Sequence, residues 1–206
     1  MNNRYDASVS LIRLKKVESF LEHEIIFIKR SICDNDPWSG HCALPGGGLA
    51  KYDTTLHETA IRETKEEIGL YLTASNYKSF VCTIIPNKKF NKRDLNLHCY
   101  EFETEKLPSF FDITEVSDIF MVKVEEFFEE KNYKFLEMFS DGQKSLCFIF
   151  KENYCIWGLT LAIIFEYLIK VDPERTEMLS FYPQYQKRKN KALQVILDEN
   201  ISNDRN

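Results

Sequence analysis

The sequence predicts an α+β protein, an α/β/α sandwich folded as one domain. Three observations carry that prediction. Short runs of β-branched and aromatic residues recur with turn signals between them, as in successive hairpins. Two longer stretches, residues 54–68 and 159–171, place apolar residues at helical spacing. No internal repeat or low-complexity linker interrupts the 206 residues.

Residues 8–15 (SVSLIRLK) and 24–30 (EIIFIKR) predict two strands, with the polar stretch 17–23 as their connection. Residues 31–39 carry Asp, Asn and Pro and predict a loop. A short strand at 41–44 stops at Pro45, and Gly46-Gly47-Gly48 follows as a turn. In the helix at 54–68, His57, Ala60, Ile61, Thr64 and Ile68 share one face, and Gly69 is its stop signal. Strands follow at 77–85, 96–103 and 119–124, with a basic loop, KKFNKR, at 88–93. A short helix at 125–130 and a strand at 147–150 lead to the second long helix, LTLAIIFEYLIKV, just after Gly158. Beyond Pro173 and Pro183 the chain is basic at 186–191 and polar from Ser202. Residues 1–172 are therefore expected to form the domain, and 173–206 a helical, polar C-terminal extension of the same domain.

Composition narrows the function classes. Hydrophobic residues make up 44% and charged residues 29%, and 16 Phe with 10 Tyr supply a sizeable core, which argues against disorder. The net charge of −5 offers no basic surplus for nucleic acid or anionic lipid. The longest apolar stretch, residues 154–165, is too short to span a bilayer and predicts a buried core helix with its approach strand, and the N-terminal residues do not read as a secretory signal. Six cysteines without a C-x-x-C pair are expected as free thiols in the cytoplasm. No phosphate-binding G-x-x-x-x-G-K-[ST] loop and no nucleophilic-triad spacing occur. Glycine is scarce, 7 in the chain, yet Gly40, Gly46, Gly47 and Gly48 fall together and Gly69 follows soon after.

That cluster precedes Arg62-Glu63-Thr64-Lys65-Glu66-Glu67-Ile68-Gly69-Leu70. Glu63, Glu66 and Glu67 stand at i, i+3 and i+4, and the helical wheel sets them opposite the apolar face. Like charges at that spacing repel, which a solvated face tolerates and a hard divalent cation would relieve. Glycines just upstream let the backbone approach a metal or phosphate.

Residues 47–70 resemble the Nudix box, G-x5-E-x7-R-E-U-x-E-E-x-G-U, where U is bulky and apolar. Arg62-Glu63, Glu66-Glu67, Gly69 and Leu70 match in place. Thr64 stands at an apolar position, and the upstream Glu position falls on Thr54, with Asp53 beside it. Pro45-Gly46-Gly47, Asp53 and Thr59-Ala60-Ile61-Arg62-Glu63 are similar to the coenzyme A diphosphatase-like branch. So are Lys29-Arg30-Ser31, the block Asp36 to His41, and Ile156-Trp157-Gly158-Leu159-Thr160. Ala50 stands where that branch often has an acidic residue. The resemblance covers residues 9–168.

The resemblance implies a Nudix-type α/β/α sandwich with a mixed central sheet, and Mg²⁺- or Mn²⁺-dependent hydrolysis of a nucleoside diphosphate linked to another moiety. Coenzyme A or a related adenine nucleotide is the expected substrate. ADP-ribose, dinucleotides, nucleoside triphosphates and capped RNA are alternatives, as is a Nudix-fold module that binds a nucleotide without cleaving it. The expected ligands are Glu63, Glu66, Glu67 and the Gly47 carbonyl, with Glu66 alternatively orienting the attacking water. Glu115, in a loop before a strand, is the expected general base. Arg30, Gly46 and Gly48 are assigned to substrate, and Arg62 is expected to tie the helix to the glycine segment through Asp53. His41 and His57 are expected to be structural, and the 88–93 loop a solvated hairpin tip rather than a grip for adenine or RNA. The expected partner is a small nucleotide, with no nucleic acid or membrane; a homodimer follows from the resemblance alone.

Overall fold

The computed structural model describes residues 4–16, 18–34, 38–87, 94–138 and 142–197. The basic loop at 88–93, Asp36-Pro37 and the polar end from Ser202 lie outside the described residues. The first half contains β1 (Arg4–Leu14), β2 (Glu24–Arg30), β3 (Cys42–Ala43), β4 (Gly46–Gly48) and α1 (Leu56–Ile68). Then come β5 (Tyr77–Pro86), β6 (Asp94–Thr104), β7 (Val116–Lys123), β8 (Tyr133–Glu137), β9 (Lys144–Phe150) and β10 (Tyr154–Trp157). The last part is α2 (Gly158–Val171), α3 (Pro173–Glu177), α4 (Tyr182–Ala192) and β11 (Leu193–Ile196).

The main sheet is mixed. β1 runs parallel to β6 along its whole length, and β6 turns back against β5. β1 and β2 pair antiparallel only at Arg13↔Ile25 and Leu14↔Glu24, next to their connection, and then diverge. Residues 42–48 fill the wedge between them: β3 pairs with β2 at Ile28 and Lys29, and β4 pairs with β1 at Ala7–Val9. β7 lines the other edge of β2. A second, three-stranded sheet is built in the order β10-β9-β8.

Strand alternation sorts the core onto two faces. Ile12 and Leu14 of β1 and Ile26 and Ile28 of β2 pack with Ala60 and Ile68 of α1. Leu11, Ile25 and Phe27 point the other way and pack with Leu161, Ile164 and Phe165 of α2. Each of these side chains is almost wholly buried, and full burial of a residue of this size is worth roughly 1.5–3 kcal/mol. Helix α1 is capped at both ends: Thr55 Oγ1 accepts from Glu58 N (3.1 Å), and Gly69 takes the left-handed conformation at φ 61°.

Two expectations need correction. The three glycines form a strand rather than a turn, because β1 offers its edge where β2 has left it. Residues 125–130 span two 3-10 turns, Val124–Phe128 and Glu130–Asn132, joined at an extended Glu129, rather than one short helix. As the sequence predicts, residues 154–157 form an approach strand, β10, leading into the buried helix α2. The extension carries helices, as expected, and packs on the core: β11 pairs with β5, Tyr185 packs 4.5 Å from Phe165, and Lys189 forms a buried ion pair with Glu166. All six cysteines are free.

Candidate active site

The site lies in the wedge between β1 and β2, where α1 crosses β4. Alternation along β4 sends Gly46 and Gly48 to one face and Gly47 to the other. A Cβ on Gly46 would lie 2.2 Å from Ser8 O, and one on Gly48 would lie 2.3 Å from the Tyr5 hydroxyl. A Cβ on Gly47 would lie 2.5 Å from Cδ of Glu63, so the missing side chain is what lets that carboxylate reach the strand.

Arg62 ties the parts together. Its Nε and one terminal nitrogen donate to the two oxygens of Asp53 (3.0 and 2.9 Å), and the same terminal nitrogen reaches Gly48 O at 3.1 Å. Its other terminal nitrogen lies 2.8 Å from both Glu63 and Glu66. The Tyr52 ring covers the guanidinium, 5.4 Å from its Cζ. Asp53 also accepts from Ala50 N and Thr59 Oγ1, each at 2.9 Å. The Arg62 hydrogen bonds, aided by these donors, hold its carboxyl down at about 2. Asp53 thus does what the upstream acidic position of the motif requires, while the Thr54 backbone N–H donates to Glu58 at 2.9 Å.

Glu67 is 1% exposed, which overturns the expectation that all three glutamates lie opposite the apolar face. At 3.6 residues per turn, Glu67 follows Ala60 by seven positions and Thr64 by three, so it shares their buried stripe. Its Oε2 accepts from Gly46 N at 2.9 Å. Burial pushes its carboxyl up to about 8; Glu63 and Glu115 raise it further, against the pull of the Gly46 N–H and the Arg30 charge. Glu63 is raised chiefly by burial, against the Arg62 hydrogen bond. Glu66 remains half-exposed.

Glu115 stands in the turn before β7, and two backbone bonds fix that turn. Ser31 N donates to Glu115 O (2.9 Å), from just beyond β2, and Asp112 N donates to Glu67 O (3.0 Å), on α1. The structure therefore brings Glu63, Glu66, Glu67, Arg62 and Asp53 together beside β4, with Arg30 and Glu115 close enough for their charges to act on Glu67. The backbone groups of Gly46 and Gly48, assigned to substrate from the sequence, have internal partners instead: Glu67 for the N–H of one and Arg62 for the carbonyl of the other. His57 is structural as expected, ringed by Tyr77, Tyr100 and Phe102. His41 packs edge-on against Trp157.

Residues 7–139 match the NUDIX domain family. The chain belongs to the Nudix family. An uncharacterized protein of Schizosaccharomyces pombe is 50% identical over 48 residues, 23% of this chain and 15% of that protein. A probable nudix hydrolase of the same yeast is 27% identical over 137 residues, 66% of this chain and 47% of the relative. The chain thus matches less than half the length of either curated relative. The solved structure of a MutT/nudix family protein from Enterococcus faecalis shares the fold, with a TM-score of 0.50 and 15% identity over 85% of this chain and 67% of that one.

The Nudix glutamates fit a hard divalent cation by donor chemistry. All are oxygen donors, and burial rather than a neighbouring cation governs the raised Glu67 carboxyl, a cost that a bound cation would offset. Among the described residues, no three acidic, histidine or cysteine side chains form a group able to hold a metal ion. Glu63 and Glu66 are engaged by one Arg62 nitrogen and Glu67 by Gly46, so taking up a cation requires Arg62 to release them. Sequence reasoning missed Ser8, Tyr5 and Tyr52, which carry no motif and reach the Nudix box through strand pairing or ring stacking.

Glu67 also gives the metal-free protein a pH-dependent stability. Its folded pKa lies above the ordinary carboxyl value, so unfolding releases the proton between about 4.5 and about 8. Its contribution is fully present below the lower value and is lost as pH rises through the upper one, at no more than about 1.4 kcal/mol per unit. Urea unfolding in a chelator at pH 5, 6.5 and 8 should show falling stability, with a smaller fall in Glu67→Gln. Equal slopes for the two proteins would refute the assignment.

Proposed function

We propose that the chain is a metal-dependent hydrolase that cleaves the diphosphate linkage of a nucleoside diphosphate derivative. One observation carries this reading: Glu67 accepts from Gly46 N, the Glu63 carboxylate sits against Gly47, Arg62 joins Glu63 and Glu66, and Arg30 and Glu115 lie close enough to act on the Glu67 charge. Glu63, Glu66 and Glu67, with the Gly47 carbonyl, would hold Mg²⁺ or Mn²⁺. When bound, the cation supplies charge neutralisation at the phosphates and lowers the pKa of a coordinated water. Arg62, fixed by Asp53, ties α1 to β4 through the Gly48 carbonyl. Glu115 accepts the proton of the attacking water, whose oxygen bonds to one phosphorus as the bridging oxygen leaves with the other. Arg30 pairs with a phosphate oxygen and offsets part of its charge.

Within that class we read coenzyme A or a related adenine nucleotide as the substrate. The two blocks that resemble the coenzyme A branch, far apart in sequence, meet in space. The His41 and Trp157 rings lie 5.0 Å apart, and Thr160 Oγ1 donates to Cys42 O at 3.4 Å. The test is a panel of coenzyme A, ADP-ribose, NADH, diadenosine polyphosphates and capped RNA, each with Mg²⁺ or Mn²⁺. Release of 3′,5′-ADP and phosphopantetheine is the expected result. Turnover of another member alone would remove the coenzyme A assignment, and no turnover with tight binding would favour a nucleotide-binding module.

A further inference from the structure

The face of β1 turned toward α1 carries a row of polar side chains, Asp6, Ser8 and Ser10. Asp6 accepts from Asn96 Nδ2 at 2.8 Å. Ser10 donates to Ala60 O at 3.1 Å and shares a 2.8 Å hydrogen bond with the Thr64 hydroxyl. Ser8 is fully buried, and its hydroxyl has no hydrogen-bond partner among the described residues. Leaving a buried hydroxyl unbonded costs about 1–3 kcal/mol, and native proteins keep few such groups.

Register locates that hydroxyl. Ser8 pairs directly with Gly47, and directly paired residues project to the same face with Cβ atoms about 4.5–5.5 Å apart. On that face, the space a Gly47 side chain would take is filled by the Glu63 carboxylate, whose three atoms lie 2.5–2.7 Å from the Cβ position. Ser8 and Glu63 therefore converge at one rung of the β1–β4 ladder. Glu63 is held there by Arg62, at 2.8 Å. A carboxylate that turns from arginine to a cation needs a donor for its second oxygen, and Ser8 is the unspent donor in this row.

We propose that Ser8 is a positioning residue for Glu63, donating its O–H to that carboxylate when Glu63 serves as a metal ligand. The proposal rests on the hydrolase reading above. Outer hydrogen bonds of this kind orient ligating carboxylates, and their loss typically costs 10–100-fold in metal affinity.

The experiment measures Mn²⁺ binding by electron paramagnetic resonance without substrate, together with the Tm of the metal-free protein. Ser8→Ala should bind Mn²⁺ at least tenfold more weakly while its metal-free Tm stays equal or rises, because the unbonded hydroxyl is gone. Ser8→Cys, with a weaker donor in similar volume, should fall between. Ser10→Ala should lower the Tm and leave Mn²⁺ affinity unchanged. Wild-type Mn²⁺ affinity in Ser8→Ala would overturn the proposal, as would a drop in Tm without a change in affinity. Failure of the unmutated protein to bind Mn²⁺ would instead overturn the hydrolase reading, and the proposal with it.

Discussion

Glu67→Gln should lower kcat for the proposed metal-dependent diphosphate hydrolysis by on the order of 10²–10⁴-fold, with the fold intact. The amide keeps an oxygen in place to accept the Gly46 N–H, now made at 2.9 Å, so the contact between α1 and β4 survives. The charge does not survive, and it is the charge that a cation would use. Because the native carboxyl is pushed up to about 8 by burial, the substitution relieves a cost in the metal-free protein. The Tm in chelator at pH 8 should therefore rise while turnover falls. A variant that is destabilised and inactive would point to a packing role, and one that hydrolyses at the wild-type rate would remove Glu67 from the site. Glu66→Gln separates the roles further. Glu66 is half-exposed and bound by Arg62 on one side, so its loss should reduce turnover without changing Tm.

The split between what the sequence revealed and what it hid follows the range of the interactions. The Arg62–Asp53 tie was legible because nine residues separate the partners and a helix fixes their spacing. The position of Glu115 before a strand was legible for the same local reason, although its attachment to Glu67 O through Asp112 was not. The burial of Glu67 was misread because an i, i+3, i+4 cluster was treated as one face, when its last member turns back toward Thr64. Strand β4 was invisible: three glycines have almost no strand preference, and their pairing depends on an edge of β1 nearly 40 residues earlier. The same holds for β11, four residues that gain their partner about 110 positions away, whereas the helical character of the extension was legible and only the docking of α4 on α2 through Tyr182, Tyr185 and Lys189 was not. Ser8 belongs with these, since a lone serine in a strand signals nothing until its partner across the ladder is known.

Gly46→Ala tests the glycine strand most severely, with an expected loss of roughly 3–5 kcal/mol, or about 10 °C in Tm. Two costs combine. The residue sits at φ 153°, where a side chain is strained, and the new Cβ would lie 2.2 Å from Ser8 O and 2.6 Å from Val9 Cα. Both obstacles are backbone atoms of the paired strand, so relief requires β4 to leave β1. That movement also withdraws the N–H from Glu67, so site and stability should fail together. Gly47→Ala should behave differently. Its new Cβ meets the Glu63 carboxylate, at 2.5 Å, and a side-chain end can swing aside. The expected result is a modest change in Tm with a marked loss of Mn²⁺ affinity, because the displaced group is a proposed ligand. Gly158→Ala supplies the control for backbone strain alone: it has φ 61° and nothing within 4 Å of the added atom, and it should cost only about 1 kcal/mol. Should Gly46→Ala melt like Gly158→Ala, the close β1–β4 pairing would be wrong; should Gly47→Ala retain full Mn²⁺ affinity, Glu63 would not be a ligand.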